Sequence, residues 1–174
     1  MSNSTIVDIG SHITNLAIQI GLPVNTILKS TIFEHFCGGE SLGETEPMVD
    51  ALAQHRVSTI LDYGVEAKET QEEFDANLEE QLRCIRFADA NASVPYVSCK
   101  ITGYAPFSLL EKLNSGAALS PDEEAAEARM NERLTRICEA AAQQDVAVYM
   151  DAEESWIQDA IDRVVEDLMA RFNR

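Results

Sequence analysis

The sequence lacks several features that would at once assign a protein to a class. It has 13 lysine and arginine residues against 30 aspartate and glutamate residues, which gives a formal net charge of −17. Because an acidic surface repels a phosphate backbone, this balance argues against nucleic acid as a partner. No apolar run approaches the ~20 residues that a membrane-spanning helix needs. No basic region followed by an apolar run marks a signal peptide.

Metal-binding and nucleophile motifs are also missing. The cysteines are Cys37, Cys84, Cys99 and Cys138, and none has the C-x-x-C or C-x-x-H spacing of a zinc site. The three histidines are scattered without ligand spacing, and there is no nucleophile elbow and no P-loop. We therefore expect no metal and predict reduced, half-buried thiols in a cytoplasmic protein.

Three short apolar segments, rich in β-branched residues, predict strands. They cover residues 57–62, 96–101 and 146–150, and each ends at a polar loop. Strands that are apolar throughout are typical of a parallel sheet, which is buried on both faces.

Helical periodicity fills the intervals between the predicted strands. Capping boxes, in which a hydroxyl and a carboxylate or amide satisfy free backbone N–H groups, predict helices that begin after Thr70, Ser120 and Ser155. Upstream, Pro23 opens one predicted helix, and a second is expected over residues 47–55.

The order strand, helix, strand, helix, helix, strand, helix predicts a parallel sheet with right-handed crossovers. A doubly wound sheet has five or six strands and a barrel has eight in ~250 residues. The Gly-rich dinucleotide fingerprint is absent, which favours a barrel. We therefore expect an α/β fold, an incomplete (β/α)8 TIM-like barrel preceded by N-terminal helices. It would occupy residues 22–174 after a weakly ordered lead-in over residues 1–21, with downstream sequence absent.

Polar residues follow each predicted strand, where active sites of parallel α/β folds gather. Asp62 and Glu66 follow the first strand, Lys100 lies near the end of the second, and Asp151 ends the third. Burying an ammonium group without a partner is costly, so Lys100 should meet Asp62, Asp151 or an anionic ligand. Two interpretations stay open: a structural ion pair, or a cation that holds a substrate carboxylate or a cofactor.

Two further acids follow Asp151. Glu153 and Glu154 could simply favour the positive N-terminus of the next helix. That explanation suits Asp151 less well, because Asp151 lies at the strand end. Glu66 could equally be a solvated loop acid.

Taken together, several stretches resemble the proline dehydrogenase family, most closely its short single-function bacterial members. In chain order they are TIFEHFCGGES (31–41), STILDYGVEAKE (58–69), VSCKITGYA (97–105), LLEKL (109–113) and MDAEESWIQDAID (150–162). The resemblance covers the chain from about residue 22 to its end.

The resemblance implies a variant (β/α)8 barrel that binds FAD at its C-terminal mouth. Members of the family oxidise L-proline to Δ1-pyrroline-5-carboxylate and pass electrons to a quinone, often at a membrane surface. It therefore implies FAD as cofactor, L-proline as substrate, a quinone or other electron acceptor as partner, and peripheral association with the inner membrane.

By the same resemblance, Lys100 matches the lysine beside substrate and flavin, and Asp151 matches the strand-end aspartate of the active site. Ala152 falls where the backbone lies against the flavin. Glu66 matches an acid that pairs with an arginine to close the site, and Asp62 is a supporting acid of that loop. The family's later strands and last helix, with their arginines, have no counterpart in this chain. We therefore expect the isolated chain to bind FAD weakly or not at all and to self-associate through an open sheet edge.

Two other classes of protein are compatible with the pattern. A Schiff-base lyase would use Lys100 as nucleophile, although nearby acids favour its charged form. A non-catalytic assembly module would form a defined oligomer without flavin.

Overall fold

The structure, a computed structural model, describes residues 33–64 and 68–173. The lead-in predicted over residues 1–21 and the helix predicted from Pro23 lie outside the described residues. The chain divides into two compact units, residues 1–48 and 49–174. Helix α1 spans Glu34–Phe36, and α2 spans Leu42–Gln54, where the sequence predicts a helix over residues 47–55.

The second unit alternates strands and helices in the predicted order. Its elements are β1 (Ile60–Leu61), α3 (Gln71–Asp89), β2 (Tyr96–Cys99), a 3-10 turn (Ile101–Gly103), α4 (Phe107–Ser115), α5 (Pro121–Gln143), β3 (Ala147–Met150) and α6 (Gln158–Phe172). The three strands are shorter than predicted, so Lys100 follows β2 and does not lie inside it. Its backbone is still extended, with φ −105° and ψ 126°.

The strands form one parallel sheet in the order β1-β2-β3. Tyr96 pairs with Ile60 on one side and with Ala147 on the other. Successive βα units of a barrel are neighbours in chain order, whereas a doubly wound sheet reverses direction part-way. The predicted parallel sheet is confirmed, and its order is that of a barrel segment.

The register assigns the side chains of the sheet to two faces, because successive residues of a strand point to opposite sides. Leu61, Val97 and Cys99 share one face and are buried beneath the helices. Ile60, Tyr96 and Tyr149 belong to the opposite face, and each is between 44% and 56% exposed. Lys100 and Asp151 continue β2 and β3 on that second face.

Helix packing supplies most of the core of the second unit. Helix α3 contacts α5 and β2, and α5 also contacts β3 and α6. The largest fully buried side chains of α3 and α5 are Phe74, Leu78, Ile85, Met130, Leu134 and Ile137. Their spacing is the helical periodicity on which the helix predictions depend.

Two of the three predicted capping boxes are present. The Thr70 and Ser120 hydroxyls accept bonds from the N–H groups of Glu73 and Glu123, whose carboxylates bond back to the cap N–H groups. The box predicted at Ser155 is wrong: α6 begins at Gln158 without a side-chain cap of its own. Instead, the Asn114 side chain of α4 accepts a bond from the Ala160 N–H at 3.0 Å. The cap is therefore supplied by a distant residue.

Candidate active site

A cleft of about 750 Å³ lies at the carboxyl ends of β2 and β3. It therefore occupies the edge where parallel α/β folds place their active sites. Its charged lining residues are Lys68, Glu69, Lys100, Asp151, Glu153 and Glu154.

Lys100 and Asp151 meet in this cleft. The Lys100 Nζ lies 3.9 Å from Asp151 Oδ2, and the two side chains are 23% and 35% exposed. The Asp151 N–H donates to the Cys99 carbonyl at 3.0 Å, which fixes the end of β3 beside the end of β2. An ion pair this open is worth at most about 1 kcal/mol. Stability alone therefore does not explain why a cation stands at the strand end.

A second link joins the two loops of the cleft. The Glu153 carboxylate accepts a bond from the Thr102 N–H at 3.1 Å and a further short bond from the Thr102 hydroxyl. The Glu153 N–H in turn donates to Gln158 Oε1 at 2.9 Å. The expectation that Glu153 merely favours a helix N-terminus is therefore wrong, because its carboxylate connects the loop after β3 to the turn after β2.

Of the other predicted site residues, the structure describes Ala152 and Asp62 but not Glu66. Ala152 is exposed and lines the cleft. Asp62 is exposed, and no ion pair of the described residues joins it to Lys100, so the pairing considered for it is not found. Glu66 lies outside the described residues. Within residues 33–64 and 68–173 no group of acids, histidines and cysteines is arranged to hold a metal ion.

Two buried groups, the Cys99 thiol and the Tyr104 hydroxyl, lie close to Lys100 in the sequence but do not line the cleft. Burial raises the pKa of the Cys99 thiol to about 12, and the thiol is hydrogen-bonded to Tyr104. Burial likewise raises the pKa of the Tyr104 hydroxyl. Both groups therefore stay protonated at neutral pH and add no charge beside the cleft.

Sequence reasoning missed the polar residues that support the turn after β2. Asn77, Gln81 and Arg133 are at most 5% exposed, and each donates to a carbonyl between Ser98 and Tyr104. A signal for them exists in the sequence, because all three fall on the core-facing side of an amphipathic helix. Polar residues inside an apolar stripe indicate a buried hydrogen-bonding role.

A parallel sheet in chain order, with a charged cleft at its carboxyl edge, is the arrangement of part of a (β/α) barrel. The proline dehydrogenase family model matches residues 46–174, and the chain belongs to that family. The family resemblance found in the sequence is thus confirmed.

The chain also matches individual proteins, one of which carries the name of this family. The chain is 32% identical over 147 residues to carbapenem antibiotics biosynthesis protein CarD of Pectobacterium carotovorum subsp. carotovorum, covering 84% of this chain and 39% of that protein. It is 36% identical over 104 residues to mitochondrial proline dehydrogenase 1 of Dictyostelium discoideum, covering 58% of this chain and 18% of that protein. The chain therefore spans well under half of the length of these relatives.

The fold agrees with a solved structure as well. Proline utilization A (PutA) from Bdellovibrio bacteriovorus, inactivated by N-propargylglycine, superimposes with a TM-score of 0.63 at 17% identity. The match covers 78% of this chain and 15% of that chain. The three parallel strands and their helices thus correspond to part of a TIM-like barrel. None of the described helices is long and apolar enough to cross a membrane.

Proposed function

We propose that the cleft at the carboxyl ends of β2 and β3 is part of a site that oxidises L-proline to Δ1-pyrroline-5-carboxylate. The observation that carries this proposal is the Lys100–Asp151 pair, 3.9 Å apart inside the segment matched by the proline dehydrogenase family. An amino acid presents a carboxylate and an ammonium group. A site with one cation and one carboxylate side by side is complementary to both.

In this proposal Lys100 and Asp151 have separate roles. The Lys100 ammonium holds the substrate carboxylate or another anion in the cleft, and its neighbour Asp151 accepts a hydrogen bond from the ring nitrogen. The oxidation removes two electrons and two protons, one proton from carbon and one from nitrogen, and turns a C–N bond of the ring into a C=N bond. Asp151 orients that bond through the ring N–H, and its own backbone N–H bond to Cys99 keeps the carboxylate in place.

FAD is the cofactor proposed for the site, and the side chains at the cleft fit a flavin. Ala152 is a short, exposed side chain in the lining, so a flat ring system can approach the backbone there. Tyr149, on the sheet face that carries Asp151, is 56% exposed and offers an apolar surface. Ala152 and Asp151 would hold the cofactor, with the Lys100 ammonium beside it. Bound FAD would supply the two-electron acceptor. Asp62 and Glu66 stay proposed supporting and closing acids, and a quinone at a membrane surface stays the proposed final electron acceptor.

The geometry weighs against a Schiff-base lyase. A nucleophilic lysine must lose its proton, and such lysines are found in desolvated or cation-rich surroundings. Here a carboxylate lies 3.9 Å from Lys100 Nζ and favours the ammonium form. An amine in this state holds anions and does not attack carbonyl groups.

The test of the proposed function uses the product of the native gene, with whatever residues flank this chain. Proline is added to the FAD-loaded protein, and both the bleaching of the flavin absorbance and the formation of pyrroline carboxylate are followed. Lys100→Met and Asp151→Asn are expected to reduce the rate by about 100-fold or more, because both remove groups that orient the substrate.

The matched control is Lys112→Met. Lys112 is also ion-paired, to Glu123 at 2.7 Å, but it lies outside the cleft lining. Its variant should keep the rate of the unchanged protein. Proline-independent bleaching, or equal rates in Lys100→Met and Lys112→Met, would remove the basis of the proposal.

A further inference from the structure

Three buried side chains form a carbonyl clamp, by which we mean Asn77, Gln81 and Arg133. Each is at most 5% exposed although each is polar or charged. Burial of such groups is costly unless their hydrogen bonds are made. All three make them to backbone carbonyls of one short stretch, residues 98–104.

The bonds of the clamp lie on both sides of Lys100. Before it, Gln81 Nε2 donates to the Ser98 carbonyl at 2.9 Å. After it, Asn77 Nδ2 donates to the Gly103 carbonyl at 2.9 Å, and an Arg133 nitrogen donates to the Tyr104 carbonyl at 3.2 Å.

The stretch needs these donors because regular structure ends there. Strand β1 ends at Leu61, which pairs with Val97, so Ser98 has no partner residue in β1. The Cys99 carbonyl accepts a bond from the N–H of Asp151, directly after β3, and successive carbonyls of a strand point to opposite edges. The Ser98 carbonyl therefore points toward the side on which β1 has ended, and Gln81 takes the place of a strand.

Beyond Lys100 the chain forms a 3-10 turn. The Gly103 N–H donates to the Lys100 carbonyl at 3.1 Å, and the Tyr104 N–H donates to the Ile101 carbonyl at 2.9 Å. The carbonyls of Gly103 and Tyr104, where this turn ends, accept the bonds from Asn77 and Arg133. Lys100 thus stands between a fixed strand end and a fixed turn.

Arg133 is itself held firmly. Its Nε donates to Asp75 at 2.8 Å, a terminal nitrogen donates to Gln71 Oε1 at 2.8 Å, and its guanidinium lies 5.4 Å from the centre of the Phe74 ring. A guanidinium can serve several acceptors at once because its donors form a rigid planar fork. Arg133 therefore joins helices α3 and α5 to the turn after β2.

We propose that Arg133 is a positioning residue for Lys100, acting with Asn77 through the backbone of residues 101–104. This inference rests on the proposed function in one respect, because the proposed function gives Lys100 a ligand to hold. The placement of Lys100 beside Asp151 can be measured without flavin or proline.

The experiment compares Arg133→Met with Arg129→Met in this chain. Arg129 lies one turn earlier on α5 and also donates to Gln71 Oε1, at 3.0 Å, but no bond of its own reaches residues 98–104. Hydrogen exchange is measured for the amides of Gly103 and Tyr104. We expect exchange to be roughly tenfold faster in Arg133→Met, the change expected from losing a hydrogen bond to a charged donor. Arg129→Met should leave it unchanged.

A second readout follows Lys100 itself. An amine-acylating reagent is applied over a range of pH, and labelling at each lysine is measured by mass spectrometry. The pH of half-maximal labelling of Lys100 should move in the same direction in Arg133→Met as in Asp151→Asn, because Arg133→Met moves the ammonium away from the carboxylate and Asp151→Asn removes the carboxylate. Lys112 serves as the internal reference, since its partner Glu123 is outside the clamp.

Asn77→Leu is the second variant, for the case in which Arg133→Met does not fold. It removes only the bond to the Gly103 carbonyl and should give the same two changes. Unchanged exchange and unchanged Lys100 labelling in a folded variant would overturn the inference and leave Arg133 a helix-packing residue. Because neither readout uses flavin or proline, a failure of the proposed function would not alter them.

Discussion

Replacing Glu153 with glutamine is expected to weaken the link between the two loops of the cleft. The carboxylate accepts two bonds from Thr102, one from its N–H at 3.1 Å and one from its hydroxyl. Glutamine keeps one acceptor oxygen, but it turns an NH₂ group toward the other donor. About one hydrogen bond to a charged acceptor is therefore lost.

The expected loss of stability follows from the loss of this one hydrogen bond. A hydrogen bond to a charged group is worth about 1.5–3 kcal/mol, and the low end applies because this pair is only partly buried. We expect Glu153→Gln to lower the free energy of unfolding by about 1.5 kcal/mol, or Tm by roughly 3–6 °C for a domain of this size. Glu154→Gln is the control, because Glu154 is exposed and only its backbone carbonyl is hydrogen-bonded among the described residues.

Urea unfolding of a double-mutant cycle isolates the link. Thr102→Val removes the hydroxyl and keeps the backbone N–H, so its combination with Glu153→Gln should show a coupling of about 1 kcal/mol. Additivity of the two single changes within ~0.5 kcal/mol would show that the loops are not joined through these side chains.

Three further expectations concern stability and thiol chemistry. Asn114→Ala removes one of the two acceptors of the Ala160 N–H, the other being the Ile157 carbonyl, and should cost about 0.5 kcal/mol in urea unfolding, with Ala160 and its neighbours exchanging amide hydrogens faster. Hydrogen bonds from Lys112 and the cap hold the pKa of Glu123 near 2, below its ordinary 4.5, so its contribution is complete above pH 4.5 and is lost as pH falls toward 2. In Glu123→Gln the free energy of unfolding should therefore fall less steeply between pH 4.5 and pH 2 than in the unchanged protein. An equally steep fall in both proteins would contradict this role of Glu123. Because burial raises the pKa of Cys99 to about 12, its thiol should react with a disulfide reagent only on unfolding, and rapid labelling at pH 8 would show that it is accessible.

The local part of the fold could be predicted from the sequence. Thr70 and Ser120 mark helix starts correctly, because a capping box is formed by residues three positions apart. The three strands and their parallel pairing follow from apolar segments that alternate with helices. These features depend on neighbours in the chain, which the sequence shows directly.

Contacts between distant residues could not be predicted in the same way. Ser155 has the same local pattern as Thr70, yet the side chain of Gln158 bonds to the Glu153 N–H and α6 takes its cap from Asn114. The residues around Ser155 in the sequence do not show that its capping box fails to form while that of Thr70 forms. The sequence predicts Asp62, Asp151 or an anionic ligand as the partner of Lys100, and it is the structure that pairs Lys100 with Asp151. The bond from Arg133 to the Tyr104 carbonyl depends on how α5 packs against the turn, which the sequence does not show.

The order of the sheet has a consequence for how the protein is made. Each strand pairs with the one before it in the chain, β2 with β1 and β3 with β2. Since synthesis proceeds from the N-terminus, each newly emerged strand meets a neighbour that already exists on the ribosome. The sheet can therefore grow strand by strand during translation, and at every stage the most recently added strand offers the edge on which the next strand pairs. Pauses in translation between the βα units would then lengthen the time for which that edge is unpaired.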